Sequence, residues 1–325
     1  MRIDSFGAPL MVSWHFTQEC DLACLHCCTD SGPGGRLPDE LSADEALGVA
    51  EQIAAAEVPY VLFGGGEPAA VPHFLATAEV LGHAGVYLKV ETNGQRLKDQ
   101  TIARLASLPV RSVQVSLDGA TQQAYGRLRP GACLQAAVDT CRRVRDAGLP
   151  LEVTFVPTRF NLGEADAVMD RALDLGAFRF NTGALMRLGR AARSWDALEP
   201  SSQDYGEFLR LLGRKERELA GRMEVCYRPF HLRQGLEEWL HEPPGTLSVQ
   251  ADGKVMVSAV LPLFCADLRQ DSLAQAWDMY RSACGSADAV DALKALICND
   301  LPRQDAGLGV GDRNGRAQHC DRCEG

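Results

Sequence analysis

The chain has 325 residues, which predicts either one large domain or a large domain with a smaller module. Hydrophobic residues make up 46% and charged residues 23%, as in ordinary folded domains. The net charge is −10, and no basic run suits a nucleic-acid backbone. No apolar run could span a membrane and no secretion signal opens the chain, so we expect a cytoplasmic protein without nucleic-acid or membrane partners.

Short apolar segments alternate with helical patterns through the first two thirds of the chain. Their β-branched and aromatic residues predict strands at Met11–Phe16, Tyr60–Phe63, Val86–Val90, Ser112–Leu117, Leu151–Val156 and Phe178–Asn181. Helices are predicted at Ser42–Ala56, Pro72–Gly82, Thr101–Ala106, Leu134–Ala147, Gly163–Leu175 and Gln203–Leu219. Repeated strand–helix units favour a parallel sheet, so we predict an α/β fold built as a partial (β/α)6 TIM-like barrel, with its active site at the carboxyl ends of the strands.

The pattern changes near residue 222, where regular strand–helix units stop. Leu247–Gln250 and Lys254–Ser258 have the pattern of a hairpin, with Asp252 and Gly253 in its turn. We therefore predict two domains, a barrel of residues 1–222 and a smaller Cys-rich module of residues 223–325.

Four of the 12 cysteines lie within residues 20–28, directly after the first strand. A reducing cytoplasm disfavours disulfides, so clustered thiols indicate metal binding or catalysis. Cys20, Cys24 and Cys27 have the spacing of a loop that holds a [4Fe–4S] cluster, and three ligands leave one iron open for a reactant. A zinc site, with His15 or His26 nearby, and unrelated core cysteines are the alternatives. The adjacent Cys28 is predicted to pack in the core or to act as a weak alternate ligand.

Gly64, Gly65 and Gly66 end the second strand and let the backbone pass close to a ligand, with a simple tight turn as the alternative. Glu67 and Pro68 follow. This run, together with Cys20-x3-Cys24-x2-Cys27, resembles the radical S-adenosylmethionine (SAM) superfamily over about residues 9–200. The resemblance implies a partial barrel in which SAM chelates the open iron through its amino and carboxylate groups. Reductive cleavage of SAM would yield methionine and a 5′-deoxyadenosyl radical that takes hydrogen from a substrate.

The resemblance also implies cofactor-binding roles for residues at several strand exits. Gly64, Gly65, Gly66 and Glu67 would receive the methionine amino group, Thr92 and Asn93 would lie beside the cofactor, and Ser116 and Asp118 would face the ribose or the substrate. Arg129, favoured over Arg127, would pair with the cofactor carboxylate, and Arg187 or Arg190 would reach the site. His26 replaces the aromatic residue usual before the last cysteine. Ordinary turns and solvated arginines are the alternatives.

Six cysteines follow residue 225, namely Cys226, Cys265, Cys284, Cys298, Cys320 and Cys323. The Cys320-x2-Cys323 pair, with Asp252–Gly253 and Leu273–Trp277, resembles the auxiliary-cluster modules called SPASM and twitch, although a lone CxxC also suits zinc or a redox pair. A full SPASM array carries further cysteines past its CxxC, and this sequence stops two residues after Cys323. We therefore predict one auxiliary [4Fe–4S] cluster, held by Cys320 and Cys323 with two of the other four.

The resemblance favours maturation of a ribosomally made peptide, with the auxiliary cluster accepting the second electron. The alternative enzyme oxidises or decarboxylates a small molecule or a tetrapyrrole, and the alternative of another class is a non-catalytic iron–sulfur or zinc protein. The short segment before Cys20 leaves no room for a leader-binding domain, so we expect a separate precursor-recognition protein or a small-molecule substrate. A flavodoxin or ferredoxin is the expected electron donor.

Overall fold

The structure is a computed structural model, and it describes residues 3–300. Within this range the strands form one sheet. They are β1 (Met11–Thr17), β2 (Tyr60–Gly65), β3 (Tyr87–Thr92), β4 (Val110–Ser116), β5 (Leu151–Phe155), β6 (Arg179–Thr182), β7 (Glu224–Cys226), β8 (Thr246–Val249), β9 (Lys254–Ser258) and β10 (Leu261–Asp267). Their spatial order is β10-β9-β8-β1-β2-β3-β4-β5-β6-β7.

Helices connect most of these strands. They are α1 (Ala43–Ala55), α2 (Phe74–His83), α3 (Asp99–Leu105), α4 (Gln122–Leu128), α5 (Leu134–Asp146), α6 (Ala165–Asp174), α7 (Gly189–Arg193), α8 (Trp195–Leu198), α9 (Ser202–Glu218), α10 (Leu232–His241), α11 (Leu273–Cys284) and α12 (Ala287–Ala295). A capping box begins α1, because the Ser42 hydroxyl accepts from the Glu45 backbone while the Glu45 carboxylate accepts from the Ser42 backbone. None of the described helices is long and apolar enough to cross a membrane, and the cytoplasmic location stays a prediction.

The six predicted strands all form, and each pairs in parallel with the next. Two further strands extend the parallel arrangement, since β7 pairs with β6 and β8 pairs with β1. The sequence analysis missed β7 because three residues are too few to show a two-residue alternation. The sheet is continuous across residue 222, and the division into two domains there stays a prediction.

The two faces of the sheet differ in polarity. On β1 the alternate residues Val12, Trp14 and Phe16 are buried, and Phe16 packs edge to face against Phe74 of α2. Phe155 of β5 likewise contacts Phe180 of β6 and Phe208 of α9. The apolar face therefore packs against helices, and the side chains between these positions point to the opposite, inner face.

The segments after residue 222 are joined to the barrel by specific contacts. The hairpin β8–β9 forms as predicted, and β10 adds to β9. Arg269 pairs with Glu45 of α1 and donates to the backbone carbonyls of Asp39 and Asp252. The indole of Trp277 on α11 donates a 3.0 Å hydrogen bond to the carbonyl of Phe6. These contacts fix α11 and the hairpin against the start of the chain.

Candidate functional site

The predicted cluster loop runs from the end of β1 to the start of α1. Residues 18–42 contain neither helix nor extended strand, apart from an isolated bridge between Glu19 and Gly32. The Cys20 amide donates to the Gly32 carbonyl at 3.2 Å, and the Cys27 amide donates to the Cys24 carbonyl at 3.3 Å. The loop thus folds back on itself and presents its cysteines at the carboxyl ends of the strands.

Residues that follow the carboxyl end of β3 hold Cys20 in place through hydrogen bonds. The side-chain amide of Asn93 donates to the Cys20 sulfur at 3.6 Å and to the Asp21 carboxylate at 2.7 Å. The Gln95 backbone amide donates to the Asn93 side-chain oxygen at 2.8 Å, which orients the amide nitrogen toward the loop. Burial raises the pKa of the Cys20 thiol to about 12, so the thiol keeps its proton until a metal displaces it.

Glu67 joins the exits of β2 and β3. Its buried carboxylate accepts from the Thr92 hydroxyl at 2.9 and 3.0 Å and from the Asn93 backbone amide at 2.8 Å. Burial raises the pKa of Glu67 to about 7, although the hydrogen bonds from Asn93 and Thr92 oppose this rise. A carboxylate has about four acceptor positions, so a donor from a cofactor can still bind.

The glycine run lies directly against the loop. The Gly66 amide donates to the Thr17 carbonyl at 2.7 Å, and a Cβ at Gly66 would lie 2.0 Å from the Glu19 carbonyl oxygen. Gly65 has a φ of +107°, and a Cβ there would lie 2.8 Å from the Thr17 carbonyl oxygen. Only glycine fits at these two positions, because any side chain would push the loop away from the strand exits.

Residues that follow β4 in the chain hold Cys24 in place. Arg129 Nη1 donates to the Cys24 sulfur at 3.6 Å, while its Nε and Nη2 donate to Asp118 Oδ2 at 2.7 and 2.6 Å. His26 Nε2 lies 3.0 Å from the same oxygen, and the Val156 amide donates to the other at 2.8 Å. Burial alone would raise the pKa of Asp118, but Arg129 and His26 hold it well below its usual range. The predicted contact of Asp118 with ribose or substrate would require one of these bonds to break.

The environment of Cys27 differs from that of Cys28. The Cys27 sulfur lies 3.3 Å from the Thr29 hydroxyl, and the Cys27 carbonyl accepts from the Arg190 amide at 2.9 Å. Burial raises the pKa of the Cys28 thiol to about 11, with smaller contributions from Cys27 and from Glu91 on β3. Both cysteines are half-buried, and Cys28 differs from Cys27 in lying near Glu91.

The three loop cysteines are suited to a [4Fe–4S] cluster. All three are free thiols, and N–H donors face the sulfurs of Cys20 and Cys24, as the second layer around cluster thiolates requires. Among residues 3–300, no three His, Cys, Asp or Glu side chains converge on a single metal ion. A cubane binds each thiolate at a different iron, so it does not need such convergence, whereas zinc does.

The remaining predicted cofactor residues fall into two groups. The Ser116 hydroxyl, at the end of β4, is partly exposed and has no hydrogen-bond partner within the described chain. Arg127 and Arg187 lie over the rings of Phe160 and Trp195, so their cations pack on the protein instead of facing the cysteines. Arg190 contacts the loop backbone, as described below.

The later cysteines lie on separate elements. Cys265 on β10 and Cys284 at the end of α11 lie beside Tyr280, and burial, with a smaller contribution from Cys265, raises the pKa of Cys284 to about 12. Cys226 ends β7 and borders a surface groove of about 610 Å³, and Cys298 is exposed. The predicted ligands Cys320 and Cys323 lie outside the described residues.

A polar network on the inner face of the sheet was missed by the sequence analysis. Glu91 Oε1 accepts from Gln114 at 3.1 Å, and Asn181 donates to Gln114 at 3.0 Å and to Glu152 at 2.6 Å. Glu152 also accepts from Lys89 at 2.7 Å. The signal was present in part, since Lys89 lies within the predicted strand Val86–Val90 and Glu91, two residues on, lies just past its predicted end.

Comparison with known proteins finds a matching family profile and several similar sequences. Residues 14–172 match the sequence profile of the Radical SAM superfamily. Mycofactocin maturase MftC of Mycobacterium ulcerans is 33% identical over 222 residues, covering 66% of this chain and 58% of MftC. AdoMet-dependent heme synthase of Methanosarcina barkeri is 26% identical over 297 residues, covering 84% of this chain and 83% of the synthase. The aligned region is thus little more than half of MftC but most of the synthase.

Solved structures show the same fold. Streptococcus suis SuiB bound to precursor peptide SuiA has a TM-score of 0.70 at 13% identity, covering 87% of this chain and 68% of SuiB. The enzyme anSMEcpe with bound AdoMet has a TM-score of 0.64 at 13% identity, covering 88% of this chain and 83% of anSMEcpe. At these identities the likeness concerns the fold alone.

Proposed function

The chain belongs to the radical SAM superfamily through residues 14–172, and on this premise we propose that it is a radical SAM enzyme that modifies a ribosomally made peptide. The observation that carries the proposal is the meeting of three free thiols with Glu67, Asn93 and Arg129 at neighbouring strand exits. When bound, a [4Fe–4S] cluster and SAM supply a 5′-deoxyadenosyl radical that takes hydrogen from the substrate. A flavodoxin or ferredoxin is the proposed electron donor.

The chain's own residues hold and orient these groups. Cys20, Cys24 and Cys27 bind the cluster, and the backbone of Gly64–Gly66 with the free acceptor position of Glu67 receives the amino group of SAM. Thr92 and Asn93 keep Glu67 and the loop together. Ser116, whose hydroxyl is free, contacts the cofactor directly, and Arg129 faces both Cys24 and the cofactor carboxylate.

The polar network on the inner face of the sheet favours a peptide as the substrate. Glu91 Oε1 accepts from Gln114, whereas Glu91 Oε2 has no partner among residues 3–300 and lies where Gly64 leaves space without a side chain. A backbone amide or an amine of a peptide would donate to this oxygen. A substrate carboxylate would be repelled by Glu91, because the nearby Lys89 cation already pairs with Glu152.

The second candidate acts on a small molecule or tetrapyrrole. The heme synthase of Methanosarcina barkeri favours it, because its alignment covers most of both chains. The two candidates differ in the charge that the substrate presents to Glu91. We therefore give the peptide precedence on the local chemistry and keep the tetrapyrrole as the alternative.

We also propose an auxiliary [4Fe–4S] cluster in the C-terminal region. Cys265 and Cys284 are favoured to join Cys320 and Cys323 as ligands, because β10 and α11 pack together and both thiols lie beside Tyr280. Cys226 instead lies among the charged side chains of Glu224, Arg179 and Glu152. An auxiliary cluster would accept the second electron of an oxidation.

SAM cleavage tests the proposed chemistry. The full chain is reconstituted anaerobically with iron and sulfide, reduced in the presence of SAM, and assayed for 5′-deoxyadenosine. We expect product from the wild type, none from Cys24→Ala, and normal product from the control Cys141→Ala, a buried thiol on α5 far from the loop in sequence. No product from the wild type would overturn the proposal and favour a non-catalytic iron–sulfur or zinc protein.

The substrate class is tested separately. Small peptides encoded beside the gene and a tetrapyrrole with carboxylate side chains are compared as stimulants of 5′-deoxyadenosine formation. We expect a peptide to raise the rate and to change in mass, and Glu91→Gln to alter the peptide KM more than SAM cleavage without substrate. Stimulation and conversion of the tetrapyrrole alone would instead establish the alternative.

A further inference from the structure

The start of α7 binds the backbone of the cysteine loop. The amides of Arg190 and Ala191 donate to the Cys27 carbonyl at 2.9 and 3.3 Å. Arg190 Nη1 donates to the Cys24 carbonyl at 2.9 Å, and Nη2 donates to the carbonyls of Ser31 and Asp30 at 2.8 and 3.3 Å. One residue therefore contacts four carbonyls of the loop, including those of two predicted cluster ligands.

This approach depends on the preceding glycine. Gly189 has a φ of +52°, and a Cβ there would lie 2.5 Å from the Cys28 carbonyl oxygen and 2.8 Å from the Cys27 carbonyl oxygen. A larger residue would separate α7 from the loop. Gly189 and Arg190 thus form one unit, in which the glycine allows close approach and the arginine supplies the donors.

Donors from elsewhere in the chain add to the few turn and bridge hydrogen bonds that the loop makes within itself. Residues 18–42 have no helix or extended strand to pair their carbonyls. The Arg190 side chain is only 18% exposed, and hydrogen bonds to partly buried carbonyls stabilise the loop. The guanidinium binds the Cys24 carbonyl, which also accepts from the Cys27 amide, and the Arg190 backbone amide binds the Cys27 carbonyl. Arg190 therefore restrains the separation of Cys24 and Cys27, and this link is lost when its side chain is removed.

We propose that Arg190 is a positioning residue that holds Cys24 and Cys27 at the separation the cluster requires. The inference rests on the proposed function, because it assumes that these cysteines bind iron. In this role Arg190 acts on the cluster only through the backbone of the cysteine loop, and it contacts neither SAM nor the substrate. Loss of the side chain should loosen the cluster before it affects any later step.

Arg193 provides a matched control on the same helix. It pairs bidentately with the Asp30 carboxylate, at 2.9 and 2.6 Å, and its side chain is 62% exposed. The Arg193 guanidinium donates to that carboxylate, whereas the Arg190 guanidinium also donates to backbone carbonyls. Arg190 and Arg193 both form an ion pair with Asp30. Comparing the effects of replacing each arginine therefore separates the contribution of the hydrogen bonds to loop carbonyls from that of the ion pair.

The test measures how firmly the reconstituted full chain holds its iron. Iron release to a chelator is timed for the wild type, Arg190→Met, Arg190→Lys and Arg193→Met, and the signal that changes on SAM addition in electron paramagnetic resonance (EPR) identifies the loop cluster. We expect release from this cluster to be about 10-fold faster or more in Arg190→Met and within about twofold of wild type in Arg193→Met. Arg190→Lys should be intermediate, because an ammonium donates to carbonyls but lacks the planar fork.

Two further measurements keep the test decisive. Circular dichroism establishes that each variant is folded, and Gly189→Ala replaces Arg190→Met if the latter is not. Amide hydrogen exchange in the iron-free protein should be faster across residues 24–31 in the variant, without any cluster. Release and exchange at wild-type rates in a folded Arg190→Met protein would overturn the inference alone. A wild type that binds no cluster would instead overturn the proposed function.

Discussion

The cysteines at the two ends of the chain are arranged in different ways. Cys20, Cys24 and Cys27 share one loop, and each is supported from a different later segment, through Asn93, Arg129 and Arg190. The described C-terminal cysteines instead lie on β7, β10, α11 and the turn after α12. In the proposed assignment, a short sequence motif supplies all the protein ligands of the first site, whereas the proposed second site would bring distant segments together.

The difference explains why one ligand set is evident in the sequence and the other is not. Spacing within a loop limits where three sulfurs can lie, so Cys20-x3-Cys24-x2-Cys27 carries most of the information about its site. Cys265 and Cys284 become neighbours only when α11 packs on β10. The second site therefore depends on tertiary structure from the outset.

The strongest effect is expected at Cys27, and it tests whether the position of a cysteine within the first loop decides whether it binds the cluster. We expect Cys27→Ala to lose the loop cluster and 5′-deoxyadenosine formation entirely, because Cys27 is the third ligand. Cys28→Ala should keep both, since the half-buried Cys28 lies near Glu91 of β3 and is not one of the three proposed ligands. Iron content, EPR and product assay check this pair. If Cys28→Ala lost the cluster while Cys27→Ala kept it, the ligand assignment would have to move by one residue.

The intermediate effect concerns the dispersed site. We expect Cys265→Ala/Cys284→Ala to lose about four irons per chain, one cluster, and to keep the loop cluster. Cys320→Ala/Cys323→Ala should lose the same amount, because both pairs would serve one cluster. Iron counts and EPR measure the loss.

Cys226→Ala is the matched control for that experiment. Its thiol lies on β7 among charged side chains, so its iron content should equal that of the wild type. Loss of iron in Cys226→Ala, with retention in Cys265→Ala/Cys284→Ala, would reverse the proposed choice of ligands.

The smallest effect is a pH dependence at the first site. Burial raises the pKa of Glu67 to about 7, so the folded protein holds a proton that the unfolded chain releases near its ordinary pKa of 4.5. The stability from this proton is fully present below about pH 4.5 and is lost as pH rises toward about 7. Relative to Glu67→Gln, the wild type should lose roughly 1–3 kcal/mol of unfolding free energy over this range.

Denaturant unfolding of the iron-free proteins at several pH values measures this loss. Glu51→Gln, at an exposed position on α1, is the control and should follow the wild type. A constant difference between wild type and Glu67→Gln at all pH values would show that Glu67 is not protonated in the folded protein at neutral pH.

Sequence patterns predicted the six central strands well because each is buried and rich in β-branched or aromatic residues. They could not predict β7, which is too short, or the pairing of Asp118 with Arg129 and His26, which depends on how the chain turns after β4. The network around Glu91 was missed for a similar reason. Its members lie on four strands, and each looks like an isolated polar residue until the sheet aligns them.

The supports of the cysteine loop also determine when the site can form. Asn93 lies 73 residues after Cys20, while Arg129 and Arg190 lie 105 and 166 residues after Cys24. During synthesis the three thiols therefore emerge long before the donors that hold them, and remain on a loop without its own helix or strand. Iron delivered at that stage would encounter a loop that still lacks its hydrogen-bond donors. We therefore expect productive cluster insertion only after the chain through α7 has been made and folded.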